Sequence, residues 1–190
     1  MGRRITDPMS TNGQAKVLTH DEIAQLFAAM DSPRDEALFG IMLYCGLRVS
    51  EAISLRPSDI KGDVLVLPAK ATKGKLATRQ IDIHPKLAAL LAAYDNGGAE
   101  YLFPGRHGRG RLARSSADWL LDQALAYVGL DGLGISTHSF RRTALTNLSN
   151  AGVPLRAIQE ISGHRSLASL QRYLEVSPEQ KKRAIAALNY

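Results

Sequence analysis

Four short stretches carry side chains that, brought together, could handle a phosphate ester: Gly46-Leu47-Arg48-Val49-Ser50-Glu51, Thr137-His138-Ser139-Phe140-Arg141-Arg142, Ser162-Gly163-His164-Arg165-Ser166 and Gln171-Arg172-Tyr173-Leu174. Residues three apart on a helix project from one face, so His138 and Arg141 can converge on a single anion. A guanidinium is planar, permanently charged and matched to two phosphate oxygens. A tyrosine hydroxyl, with an ordinary pKa of ~10, becomes a nucleophile once a base takes its proton or a cation stabilises its anion. Each stretch alone has a plainer reading. A His-x-x-Arg pair is ordinarily solvated helix surface, and His164 after Gly163 is an ordinary helix terminus. Tyr173, beside Leu167, Leu170 and Leu174, is an ordinary core aromatic with its hydroxyl satisfied.

Attack on a phosphodiester sets the requirements such a group must meet. Negative charge gathers on the nonbridging oxygens and the leaving oxygen needs a proton, so cations and an acid are required. Two arginines can stand where other enzymes use a metal ion. A metal-dependent nuclease with His138 and His164 as ligands finds no acidic cluster beside them at metal-ligand spacing.

Taken in order, Arg48, a lysine, His138-x-x-Arg141, His164 and Tyr173 nine residues further on resemble the catalytic domain of the tyrosine recombinase (phage integrase) family, from about residue 17 to the C-terminus. The resemblance implies that Tyr173 attacks phosphorus to give a 3′-phosphotyrosyl intermediate, with no cofactor and no metal. It implies that Arg48 and Arg141 hold the nonbridging oxygens, that His138 handles the tyrosine proton, and that His164 positions the phosphate by hydrogen bonding. The family's general acid is a lysine in a hairpin after the first arginine, where this chain has Lys70, Lys73 and Lys75. Lys73, in Thr72-Lys73-Gly74, is favoured because the next strand follows at nearly the family spacing, one residue longer; Lys75 is second. Double-stranded DNA is the implied partner and a homotetramer on DNA the implied assembly. Type IB topoisomerases and telomere resolvases share this logic, and the short interval from His164 to Tyr173 favours a recombinase. A noncatalytic DNA-binding relative would not need the complete residue set.

Positioning these side chains requires a mainly α fold with a small antiparallel β-sheet (α+β), and the periodicity predicts one. The capping box Thr19-His20-Asp21-Glu22 opens a helix with Ile23, Leu26, Phe27 and Met30 on one face. Ser32 with Pro33 starts a second helix that Gly46 stops, and a short one runs from about 49 to 55. Residues 63–67 and the alternating 79–83 make an antiparallel hairpin. Helices follow at about 85–94, 115–128 with Ser115 as N-cap, 138–150, 154–162, 166–175 and 178–188. The terminal helix has an apolar edge of Ile185, Ala186 and Leu188 that suits packing on its own domain or on a neighbouring subunit.

Composition agrees with a polyanionic partner. The chain of 190 residues carries 24 Lys and Arg against 18 Asp and Glu, a formal charge of +6. Its densest basic stretch holds Arg106, Arg109, Arg111 and Arg114, and these with Arg142 and Lys75 are candidate DNA contacts. The lone Cys45 sits in an apolar run as a core residue and suits a reducing cytoplasm. No apolar run reaches the ~18 residues needed to span a bilayer, and the expected location is cytoplasmic, at the nucleoid. Residues 1–16 read as a tail, a linker or a cloning scar, and 17–190 as one catalytic domain. The N-terminal helical domain usual in the family has no counterpart in residues 1–16, which predicts weak, salt-sensitive DNA binding.

Overall fold

The computed structural model describes residues 14–69, 78–171, 174 and 178–188. Lys70, Lys73, Lys75 and Tyr173 lie outside the described residues.

Helix α1 (His20–Ala28) starts as its capping box dictates: the Glu22 amide donates to Thr19 Oγ1 at 3.2 Å and the Thr19 amide to Glu22 Oε2 at 2.9 Å. Helix α2 (Pro33–Tyr44) is capped by Ser32 and is apolar nearly all round its second half, where Ala37 through Leu43 are buried. Such a helix belongs at the centre of a domain. Phe39 from α2 lies 5.0 Å, centroid to centroid, from Phe140 of α6 (Thr137–Asn150), and both rings are fully buried. Helices α4 (Pro85–Ala92) and α6 pack on α2, and α5 (Arg114–Val128) closes over α1 and α3 (Val49–Ala52). Cys45, at the end of α2, is wholly buried and its thiol is pushed up to about 12 by burial, so it is an inert core residue.

The sheet has three antiparallel strands in the order β1 (Ile60–Lys61), β2 (Val64–Leu67), β3 (Arg79–Asp82). The expected hairpin is present, with Leu67 opposite Arg79 and Leu65 opposite Ile81. The added strand, β1, pairs two residues across a turn at Gly62.

Among the described residues three further helices follow: α7 (Leu155–Ser162), α8 (Leu167–Gln171) and α9 (Pro178–Ala186). Leu145, Ile158 and Leu170 form a second, smaller core, with Leu148, Val153, Leu155 and Leu174 packed around it. Helix α5 begins one residue before the expected Ser115, at Arg114, with Ala113 in the cap position. Among the described residues no helix is long and apolar enough to cross a membrane.

Candidate active site

The site forms where the end of α2, the inner face of α6, the end of α7 and the first residue of β3 meet. Gly46, at φ +60°, turns the chain sharply after α2, and its carbonyl accepts from Arg141 NH1 at 2.5 Å. Arg48 then takes the N-cap position of α3, where its amide donates to Glu51 Oε2 at 2.9 Å. The Gly-Leu-Arg-x-Ser-Glu stretch is thus a tight turn followed by a helix start whose third residue caps it. That local logic places Arg48 and Glu51 side by side.

Glu51 is the hub. Its carboxylate, 1% exposed, meets Arg48 NH1 at 3.1 Å, Arg79 NH2 at 3.1 Å and Arg141 NH1 at 3.7 Å. Among the described residues three guanidiniums face one carboxylate, a concentration of positive charge that suits an anion.

Arg141 is the largest fully enclosed side chain, 2% exposed. Besides Gly46 it donates from NH2 to the Ser162 carbonyl at 2.8 Å and lies 3.4 Å from His164 Nε2. Arginine has no acceptor, so Nε2 accepts in this contact and the ring hydrogen sits on Nδ1, which donates to Ser162 Oγ at 2.7 Å. His164 owes its place to Gly163, the left-handed C-cap of α7 at φ +65°, and to Gln159 Nε2, which donates to the His164 carbonyl at 3.0 Å. Burial first, then Arg141, Arg48 and Arg79, push the His164 imidazole down to about 3, so it is neutral at physiological pH.

His138 stands on the same face of α6 but nearer the rim, where it is exposed. Partial burial, followed by the cations Arg114, Arg141 and Arg48, lowers its pKa below the ordinary imidazole value. Arg48, with its side chain 22% exposed, shares this rim, while Arg141 and His164 form the floor.

Of the residues singled out in the sequence, Arg48, Arg141 and His164 come together here, with His138 beside them. Leu170 and Leu174, on either side of Tyr173, are seated on the second core. Arg106, Arg109, Arg111 and Arg114 are all exposed, the first three in a bend in which the left-handed His107 and a bridge from Pro104 to Arg111 turn the chain back on itself. Arg114 pairs with Asp118 at 3.6 Å, and Thr137 Oγ1 donates to the other oxygen of Asp118 at 3.0 Å.

Arg142 requires a correction. Expected to face DNA, it is 7% exposed and donates from NH1 to the Ala15 carbonyl at 2.6 Å, because the incoming chain lies across that side of α6. Lys16 and Leu18 are held nearby, through Gly134 and Thr143.

Two residues escaped the sequence reading as functional candidates, Glu51 and Arg79. The signal for Arg79 lies in the alternation of β3: it is in phase with buried Ile81, and a charged residue on the buried face of a strand needs an internal partner. Among the described residues no group of three or more His, Cys, Asp or Glu is placed to hold a metal ion.

Comparison with known proteins places the chain in a family. The Phage integrase family pattern matches residues 16–180, and the chain belongs to that family. It is 33% identical over 189 residues to tyrosine recombinase XerC of Rhodospirillum centenum, covering 92% of this chain and 54% of the relative. Against tyrosine recombinase XerD of Caulobacter vibrioides it is 32% identical over 195 residues, covering 93% and 63%. The chain therefore spans between half and two thirds of the length of these relatives. Among solved structures, the XerA recombinase superimposes with a TM-score of 0.79 at 22% identity, covering 97% of this chain and 68% of that one. The XerH site-specific recombinase bound to palindromic difH substrate, a post-cleavage complex, gives 0.73 at 19% identity, covering 90% and 52%. These likenesses confirm the mainly helical fold with its small antiparallel sheet.

Proposed function

We propose that the chain is the catalytic domain of a site-specific DNA recombinase that cleaves and rejoins DNA strands through Tyr173 without a metal. The observation that carries this reading is the convergence of Arg48 and Arg141 on buried Glu51 beside a neutral His164. Pre-placed cations in a water-poor setting stabilise charge that develops on a phosphate in the transition state. In its other neutral tautomer His164 carries the hydrogen on Nε2 while Nδ1 accepts from the Ser162 hydroxyl, and Nε2 then donates to a nonbridging oxygen when phosphate displaces the Arg141 contact.

The reaction follows from these roles. His138, neutral because its pKa is lowered, takes the Tyr173 proton. The phenolate oxygen bonds to phosphorus and the bond from phosphorus to the 5′ oxygen breaks. Lys73, or failing it Lys75, gives that oxygen a proton. The reverse sequence with another 5′ hydroxyl rejoins the strand, and the phosphotyrosyl ester conserves the bond energy. Exposed Arg106, Arg109, Arg111 and Arg114 supply duplex phosphate contacts, and a homotetramer on DNA is the working assembly.

The test is a covalent-trapping assay in EDTA, with a nicked duplex library of randomised core sequence that loses a short 5′ fragment on cleavage. A protein–DNA adduct is expected from wild type and none from Tyr173→Phe. No adduct from wild type, or an adduct that persists in Tyr173→Phe, would overturn the proposal.

A further inference from the structure

Arg79 is an expensive residue for a strand end. Its side chain is 9% exposed, yet Nε has no hydrogen-bond partner among the described residues. Burying a cation with an unsatisfied donor opposes folding, so stability alone does not explain it. Its contacts do. NH1 donates to the Ile161 carbonyl at 2.8 Å, in the last turn of α7. NH2 reaches Glu51 Oε1 at 3.1 Å, the oxygen that also holds Arg48. The flat guanidinium covers Gly163, where a Cβ would stand 2.7 Å from NH1, 2.8 Å from Cζ and 2.9 Å from Nε. Gly163 is thus fixed twice, by its left-handed φ and by the arginine lying on it.

These contacts join three parts of the site. Arg79 pairs with Leu67 in the last rung of the hairpin, from which the connection containing Lys70, Lys73 and Lys75 departs. Ile161 and Gly163 belong to the turn that delivers His164. Glu51 orients Arg48 and Arg141. Resting on the strand-cleavage reading above, we propose that Arg79 is a positioning residue that fastens strand β3 to the His164 turn and to Glu51, so that His164, Arg48 and Arg141 keep fixed places around the phosphate. Small misplacements of groups that hold a reacting phosphate are costly to a reaction rate. After burial, its charge is the third among the cations, behind Arg141 and Arg48, in keeping His164 neutral.

The experiment compares wild type, Arg79→Met and Arg79→Lys in two measurements. The first follows the His164 ring nitrogens by NMR against pH without DNA. The second measures adduct formation at saturating nicked randomised-core duplex, with Kd from fluorescence anisotropy on the same duplex. In Arg79→Met we expect His164 to titrate at higher pH than in wild type. Adduct formation should slow at least tenfold at saturation, with Kd changed less than threefold. Arg79→Lys keeps the charge but cannot lie flat on Gly163 while reaching both oxygens, so it should restore the His164 titration and recover only part of the rate. Should Arg79→Met fail to fold, Arg79→Lys decides: a full wild-type rate overturns the proposal. An unchanged His164 titration with an unchanged rate in folded Arg79→Met overturns it too, as does a loss confined to Kd. No adduct from wild type overturns the cleavage reading itself, a separate result from a wild-type adduct with an indifferent Arg79.

Discussion

Glu51→Gln removes one charge and almost no volume, and the geometry around it allows its effect to be worked out. The carboxylate is 1% exposed and is the shared acceptor for Arg48, Arg79 and Arg141. With glutamine the Arg48 amide can keep an acceptor, but three guanidiniums are left facing one another around a neutral amide. Breaking a buried pair by removing one partner costs about 3–5 kcal/mol. For a domain of this size each kcal/mol lowers Tm by about 2–4 °C, so Glu51→Gln should melt roughly 6–20 °C below wild type. The assay is thermal and urea unfolding at low ionic strength, followed by circular dichroism. Phosphate at high concentration should return part of the loss, because an anion in the cluster replaces the missing charge and ligand binding to the native state stabilises it. A Tm within about 2 °C of wild type would refute the reasoning that this carboxylate holds the arginine cluster together.

Two further outcomes follow. Burial and the neighbouring arginines hold the folded-state pKa of His164 at about 3, below the ordinary 6.5 of an imidazole in the unfolded chain. The unfolded chain therefore binds the proton first, and the stability contribution is full above 6.5 and lost as pH falls from 6.5 toward 3. Each unit in that window costs about 1.4 kcal/mol, so wild type should lose about 2 kcal/mol more than His164→Gln between pH 6.5 and 5 in urea unfolding; parallel slopes would contradict the burial of a neutral imidazole. Lys73→Ala should slow cleavage of a normal 5′ oxygen far more than cleavage of a 5′-bridging phosphorothiolate, whose sulfur leaves without a proton. If Lys75→Ala shows that rescue instead, the acid is Lys75.

What was legible in the sequence is what local chemistry decides. The Thr19–Glu22 capping box, the Ser32-Pro33 start of α2 and the left-handed glycines after α2 and α7 name their elements without reference to the rest of the chain. The pair His138 and Arg141 was legible because helical spacing puts both on one face. Strand β1 was not, since two residues carry no period and pair only because β2 lies beside them. Arg142 looked like its neighbour Arg141, and only the chain entering across α6, 127 residues away in sequence, turns it inward. Arg79 and Glu51 were hidden for the same reason. Their meaning lies in a contact between a strand end and a helix start that no local pattern announces, although a cation in phase with Ile81 was a clue.

The central claim is that Tyr173 becomes covalently bound to DNA, and mapping that bond tests it most directly. Trapped adduct made in EDTA would be digested with protease and nuclease, and the nucleotide-bearing peptide sequenced by mass spectrometry. The account predicts a single modified residue, Tyr173, joined through phosphate to the 3′ oxygen of the retained nucleotide, with a free 5′ hydroxyl on the released strand. Attachment at another residue, a 5′-phosphate linkage, or cleavage that EDTA abolishes would contradict it.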